Sequence, residues 1–349
     1  MPSLRTLRRK PRVAFVLSGG GNLGAIQVGM LRALWEREVQ ADVVLGCSVG
    51  ALNGAAYAAD PTGYGLSQLE RVWRSARSPD VMPSSRIPSA LQLVRRGESL
   101  YPSSGLRSSI ESFLGGRATF EELRLPFQCV ATDVDRAVEH WFTEGPLIEP
   151  IMASAALPSV YPMVHIGDRR FVDGGVVDNV PLARAVELGA KQIYVLHVGL
   201  HGKPHATVRR PLDAALMAYW IGRNHRFARD LAALPRNVKV VVLPPGDRPG
   251  LRHDDFSQTD ELLEQGYRGA LNHLDELARA EADEPGLAER LRRDAFKSAE
   301  WWRVLERRRA SRVESGIAEE QEDDEDDPGD DLDDAALSEA ASDGAESAG

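Results

Sequence analysis

Short apolar runs of strand length alternate along this chain with longer stretches in which apolar residues recur every three or four positions. The first run, Val13–Leu17, is followed by Gly19, Gly20, Gly21 and Gly24, where the backbone must turn tightly and lie bare. Over residues 25–38, Ile26, Met30, Leu31, Leu34 and Trp35 recur at helical spacing, which predicts a helix packed on a sheet. Residues 42–45 form a second buried strand that runs into Gly46-Cys47-Ser48-Val49-Gly50. Further strands are expected over 127–132, at Phe171 and Val172, and over 193–198 and 238–243. Further helices are expected over 51–59, 65–75, 106–114, 148–156, 182–188, 212–234 and 260–280. Asp178 and Asn179, ahead of Val180 and Pro181, read as the cap of the helix over 182–188. The alternation argues an α/β fold with a mainly parallel central sheet flanked by helices.

Residues 46–50 have the form G-x-S-x-G, the nucleophile elbow. A serine on a sharp strand-to-helix turn needs neighbours without side chains two positions away on either side, so Gly46 and Gly50 let the chain bend while Ser48 Oγ projects outward. The helix that follows aims its N-terminal amides and the positive end of its dipole at the reacting centre. The glycine loop one strand away supplies further bare N–H groups for an oxyanion.

Gly19-Gly20-Gly21-Asn22-Leu23-Gly24, the elbow, and Asp173-Gly174-Gly175 far downstream occur in the order found in the patatin-like phospholipase family, which this chain resembles from about residue 13 to 199. Residues 153–158, a small-residue stretch ending in Pro158, add to the likeness, with a weaker echo over 256–277. The resemblance implies a three-layer fold related to the α/β-hydrolases and a serine acyl hydrolase that cleaves fatty-acyl esters of lipids, in the manner of a phospholipase A or lysophospholipase. It implies Ser48 as nucleophile and Asp173 as the second catalytic group. The oxyanion hole would be built from Gly19, Gly20, Gly21, Gly24 and Val49. No metal and no cofactor is required, and the expected partner is a lipid ester substrate. An ordinary Asp, with a pKa of about 4, is too acidic to be an efficient base near neutrality, so Asp173 is expected to be partly desolvated and within hydrogen-bond reach of Ser48 Oγ. The chain departs from the family at Leu23, where Arg or Lys is usual. Loss of that cation lowers the rate or reshapes substrate preference without removing the backbone donors.

Three other readings compete. Gly19, Gly21 and Gly24 fit G-x-G-x-x-G with Asp42 downstream, but in a dinucleotide fold the acid ends the second strand, whereas Asp42 precedes Val43. A Ser-His-Asp esterase shares the elbow, yet several strands precede its serine and only one does here. Among the eight histidines, His197 at a strand end is the one to test. A catalytically weakened lipid-binding or scaffold member of the same fold is the third reading, kept open by Leu23.

Composition adds boundaries. At 349 residues and 43% hydrophobic, the chain can bury a sizeable core. From residue 314 onward there are 16 acidic residues and no Lys or Arg, which turns the net charge of −10 for the whole chain into +6 for residues 1–313. The expected organisation is a basic N-terminal arm (1–12), a catalytic domain (13–285), a basic amphipathic helical extension (286–313) and a disordered acidic tail (314–349) too poor in large apolar residues to fold. Residues 78–104, rich in Ser and Pro, read either as a cover over the site or as a surface loop with one short helix. Cys47 and Cys129 imply no disulfide framework. The apolar run after the arm is too short for a signal peptide, and no apolar span approaches 20 residues, so a cytoplasmic protein is expected. The arm and the Trp301–Trp302 region offer contact with a membrane surface, against a solvated arm and a docked helix as the alternatives. There is no nucleic-acid signature, and these motifs fix neither head group, chain length nor oligomeric state.

Overall fold

The strand Val13–Leu17 (β1) has no exposed flank because strands pair with it on both sides. It pairs in parallel with β2 (Val43–Cys47) and with β7 (Gln192–Leu196). The computed structural model describes residues 12–75, 103–198, 211–245 and 256–283, all within one compact unit that spans Met1–Val304. The second unit, Leu305–Gly349, lies outside the described residues, as do the expected acidic tail, nearly all of the basic arm and extension, and most of the Ser/Pro-rich stretch.

The sheet has eight strands in the order β5-β6-β3-β2-β1-β7-β8, with β4 also paired to β3. The remaining strands are β3 (Phe127–Asp133), β4 (Val138–Phe142), β5 (Val164–Ile166), β6 (Arg169–Asp173) and β8 (Lys239–Val242). From β3 to β8 the path is parallel, and β4, β5 and β6 join antiparallel. Side chains alternate across it. Phe15, Leu17, Val44, Tyr194 and Leu196 enter one core, while Ala14, Val16, Val43, Leu45, Ile193 and Val195 enter another. Both faces are therefore covered, as a parallel sheet requires.

On the first face lie α1 (Gly24–Glu36), α2 (Val49–Ala59), α3 (Gly63–Ser75), α4 (Ser103–Leu114), α5 (Ile148–Ser154) and α8 (Thr259–Asp283). On the second lie α6 (Leu182–Glu187) and α7 (Pro211–Ala232). Among the described residues, no helix is long and apolar enough to cross a membrane.

The register of β3 decides the geometry of everything that follows. Its residues 129–133 pair with β4, so β4 occupies one edge of that strand. On its other edge, β2 pairs up to Cys47 opposite Val130, and β6 takes over with Asp173 opposite Ala131. Because β2 runs parallel to β3 and β6 runs antiparallel, the C-terminal ends of β2 and β6 meet head to head.

The sequence reading leaves out β4 and β5. The first is a half-exposed edge whose VEHWF has no clean alternation, and the second is three residues long. The expected cap at Asp178 and Asn179 is also corrected. Helix α6 starts from Pro181 without a side-chain cap, and both polar residues are buried instead.

Helices α1 and α8 cross at glycines. A Cβ on Gly29 would run into the Leu263 carbonyl and lie 2.5 Å from Tyr267 N, and one on Gly266 would run into the Ile26 carbonyl. These are backbone obstacles that no rotamer change relieves, so the helices would have to separate. Gly29→Ala and Gly266→Ala are each expected to destabilise the protein by about 1–3 kcal/mol, read as a lower denaturation midpoint. An unchanged midpoint in both would show that the crossing is loose.

Candidate active site

Ser48 sits where β2 turns into α2, with φ 54° and ψ −123°, a conformation that side chains rarely adopt. Holding it costs on the order of 1–3 kcal/mol, so the surroundings must over-determine it. The flanking glycines permit the turn. A Cβ on Gly46 would lie 2.6 Å from Ala51 Cα, and one on Gly50 would lie 2.7 Å from Ser18 O. Ser154, wholly buried at the end of α5, accepts a hydrogen bond from the Ser48 amide at 2.9 Å. Ser48 O in turn accepts from Ala51 N at 2.9 Å, opening α2.

Asp173 arrives from the opposite direction at the end of β6, 2% exposed. Its Oδ1 accepts from the Gly175 amide at 2.7 Å and from the Tyr219 hydroxyl at 3.3 Å, and the Cys47 thiol lies 3.9 Å away. The main chain is pinned as well. Asp173 N donates to Ala156 O at 2.9 Å and Thr132 Oγ1 donates to Asp173 O at 2.8 Å. Burial raises the carboxyl above the usual carboxylate range. Hydrogen bonding from the Ser48 hydroxyl, the Gly175 amide and the Tyr219 hydroxyl, with the nearby Arg223 charge, pulls the other way and leaves a net rise.

The glycine loop comes off β1 beside them. Gly19 lies against Ser48, since a Cβ there would be 3.2 Å from Ser48 Cβ and 2.5 Å from Asn179 Oδ1. Gly21 has φ 61° and begins a single 3-10 turn over Gly21–Leu23. Not every expected donor is free. The Gly19 amide donates to Asn179 O at 3.2 Å, and the Gly24 amide turns back onto Asn22 O and Gly21 O. The amides of Gly20, Gly21 and Val49 have no acceptor among the described residues. Leu23, where the resemblance leads one to expect Arg or Lys, is half-buried against the larger core.

A buried polar chain fixes the loop from behind. Gln27 Nε2 donates to Ser18 O at 2.7 Å and Leu196 O at 3.1 Å. Asn53 Nδ2 donates to Gln27 Oε1 and Gly24 O, each at 2.9 Å, and Trp73 Nε1 donates to Asn53 Oδ1 at 2.9 Å. The loop, α1, α2, α3 and β7 are thereby tied at one point. Asp42, the acid of the dinucleotide reading, instead accepts from Arg12 N at 2.7 Å and Val13 N at 2.9 Å, fastening the start of β1.

Ser154, Asn179 and Tyr219 are residues of this centre that sequence reasoning does not single out. Ser154 is the polar member of an otherwise apolar helix end, which was its available signal. Tyr219 reads as a core aromatic, and Asn179 as a cap. His197 is buried edge-on to Phe227, ring centroids 5.0 Å apart, and none of the hydrogen bonds of Asp173 among the described residues involves a histidine.

The family model for Patatin-like phospholipase matches residues 15–186, from β1 through the elbow and Asp173 into α6. Over that stretch the chain is a patatin-like phospholipase domain. It is 29% identical over 286 residues to Patatin-like phospholipase domain-containing protein 7 of Rattus norvegicus, an alignment covering 73% of this chain and 20% of that protein. With Lysophospholipase NTE1 of Phaeosphaeria nodorum it shares 30% over 296 residues, covering 76% and 18%. With an uncharacterized NTE family protein of Mycobacterium tuberculosis it shares 28% over 298 residues, covering 82% and 78%. The chain thus spans about a fifth of the first two relatives. Tyr219 and Arg223 lie beyond the stretch that the family model matches.

Two measurements follow from this geometry. Ser154→Ala leaves the half-buried Ser48 amide without its acceptor and is expected to destabilise the protein by about 1–3 kcal/mol. Equal stability would mean that the strained turn is held without it. Asp178 is 1% exposed, and burial pushes its carboxyl up to about 7, opposed by Arg226 3.8 Å away. The folded state keeps a proton that the unfolded chain releases near 4, so stability from this group is greatest below about pH 4 and falls as pH rises to 7. Asp178→Asn should be more stable than wild type at pH 8, by on the order of 2–4 kcal/mol, with the gain vanishing below pH 4. A destabilised variant at pH 8 would show instead that the Arg226 ion pair outweighs burial.

Proposed function

We propose that this chain is a serine acyl hydrolase acting on fatty-acyl esters of lipids, with residues 13–285 as the catalytic domain. What carries the reading is the head-on junction of β2 and β6, where Ser48, at the positive end of α2, faces a buried carboxylate with raised pKa. The names of the relatives, phospholipase and lysophospholipase among them, support lipid esters as the substrate class.

In this reading Ser48 Oγ attacks the acyl carbonyl carbon while Asp173 accepts the hydroxyl proton. The negative charge that develops on the carbonyl oxygen is met by the amides of Gly20, Gly21 and Val49, the donors not already engaged inside the protein, with the α2 dipole behind Val49. Collapse of the tetrahedral intermediate breaks the ester bond, and the departing alcohol takes the proton from Asp173. Water then attacks the acyl-Ser48 carbonyl as Asp173 again takes a proton, and the released serine oxygen recovers it. Gly175 and Tyr219 hold Oδ1 still through both halves. Among the described residues, the hydrogen bonds of Asp173 involve no histidine, which favours a dyad over a Ser-His-Asp arrangement. We assign the protein to the cytoplasm, at most peripheral to a membrane, and assign no catalytic role to residues 1–12, 286–313 and 314–349.

The test is hydrolysis of a chain-length series of acyl esters by wild type, Ser48→Ala and Asp173→Ala. Both variants, still folded, are expected to lose at least about a thousandfold in kcat. Because the base must be ionised and its pKa is raised, kcat/KM should fall with decreasing pH through a midpoint above about 4. Turnover that survives in Asp173→Ala would transfer the base to a histidine, His197 first. No turnover by wild type on any ester would favour a lipid-binding member whose chemistry has weakened.

A further inference from the structure

Arg223 stands one turn beyond Tyr219 on α7, its guanidinium carbon 5.5 Å from the centre of the Tyr219 ring. The hydroxyl of that same ring reaches Asp173 Oδ1, so the cation overlies the base end of the candidate dyad. Its field reaches the centre, favouring the ionised forms of Asp173, Cys47 and Tyr219.

What distinguishes Arg223 is how little holds it. Arg226, one turn on, is committed to Glu139, Asp178 and Asp230. Arg223 forms no ion pair among the described residues, and its Nε is buried without an acceptor. A half-buried guanidinium with an idle donor is unfavourable unless something else supplies an acceptor. The other side of the site lacks a cation where the family usually has one, since Leu23 packs into the core there.

We propose that Arg223 receives the phosphate of the substrate head group and so makes the site selective for phosphate-bearing lipid esters over neutral ones. This rests on the acyl-hydrolase reading above. A lipid phosphate lies only a few bonds from the scissile carbonyl, so a cation beside the base meets it while the carbonyl is held at Ser48. The planar fork matches a phosphate's oxygens, and stacking on Tyr219 keeps it oriented. Arg223 is thus a specificity residue, and its charge turned toward Asp173 is the ligand-free state of the same arrangement.

The test compares kcat/KM for a lysophosphatidylcholine with that for the monoacylglycerol of the same chain, in wild type, Arg223→Gln and Arg223→Lys. The ratio of the two is expected to fall about tenfold to a hundredfold in Arg223→Gln, mainly through KM, and to recover in part in Arg223→Lys. Equal losses on both substrates, with the acid limb of the pH profile moved upward, would overturn the proposal and leave Arg223 as a tuner of Asp173. A second arm needs no turnover. Full-length Ser48→Ala is titrated with an ether-linked lysophosphatidylcholine, the matching alkylglycerol and inorganic phosphate. Tighter binding of the phosphate-bearing lipid, abolished by adding Arg223→Gln, supports the proposal. A preference that survives Arg223→Gln overturns it, and so does Arg223-dependent binding of inorganic phosphate alone with no discrimination between the lipids. A protein that hydrolyses both esters without an Arg223-dependent ratio refutes this inference and spares the acyl-hydrolase reading. Lack of all turnover, with the binding preference intact, does the reverse.

Discussion

The end-to-end meeting of β2 and β6 on one edge of β3 is the constraint from which the rest of the site follows. A strand edge presents a continuous row of N–H and C=O groups, and here two strands of opposite direction share it. Neither can lengthen without striking the other, so both chains must leave the sheet at the same level. One leaves through the Ser48 elbow and the other through the Asp173-Gly174-Gly175 turn. The hydroxyl and the carboxylate are thus brought together by backbone hydrogen bonds laid down several residues earlier, and the side chains need only short excursions to interact. A site set by sheet register in this way is stiff, which suits groups that must keep a near-attack geometry.

That junction concentrates unfavourable terms, and the surrounding contacts answer them one by one. The positive φ of Ser48 is countered by the Ser154 acceptor and by two helix bonds to its own carbonyl. The buried Asp173 charge is met by the Gly175 amide and the Tyr219 hydroxyl, and the loop that must keep donors bare toward the site is satisfied from behind by Gln27 and Asn53. Glycine appears where two backbones need the same space. At Gly46 and Gly50 a Cβ would collide with main chain, and at Gly175 it would collide with the Tyr219 hydroxyl and lie 2.7 Å from Asn179 Oδ1. Four of the glycines that define the motifs are therefore spacing devices first. Gly19 is the instructive one, because its amide is spent on Asn179 O while its bare Cα admits the Asn179 side chain beside Ser48.

What the sequence made legible was local. β1, the glycine turn, α1 and the elbow lie within a few dozen residues and announce themselves by period and by glycine, and strands buried on both faces read as plain apolar runs. The antiparallel edge did not, because β4 is half exposed and β5 is three residues long, so neither carries a period. The junction itself was beyond pattern reading, since it depends on which edge of β3 two distant strands select. Asp178 and Asn179 were misread for a related reason. A polar pair before Val-Pro looks like a helix cap when judged locally, yet the chain turns both side chains inward, toward Arg226 and toward Gly19. Tyr219 shows the same limit from the other side. At helical spacing an aromatic is indistinguishable from core until its hydroxyl is seen to have a carboxylate partner.

The charges around the junction divide into two groups with different consequences. Asp178, Glu139 and Asp230 gather on Arg226, with Arg229 also 3.5 Å from Asp230, so two cations face three acids and the most buried acid is held only at 3.8 Å. That group is over-supplied with negative charge, so protonation of Asp178 relieves it. Around Asp173 the balance is reversed once the carboxylate engages Ser48. Its donors are neutral, Arg223 is the cation within reach among the described residues, and the loop that would carry a second has Leu23. In the proposed mechanism, as a proton passes from Ser48 to Asp173 the carboxylate loses its charge while the oxyanion gains one on the far side of the reacting carbon. The negative charge moves away from Arg223 and toward the Gly20, Gly21 and Val49 amides. A fixed cation at Arg223 therefore opposes that transfer if nothing else neutralises it. On the proposed role of Arg223, an anionic group on the substrate beside it removes the opposition, which would couple recognition of the head group to the first chemical step.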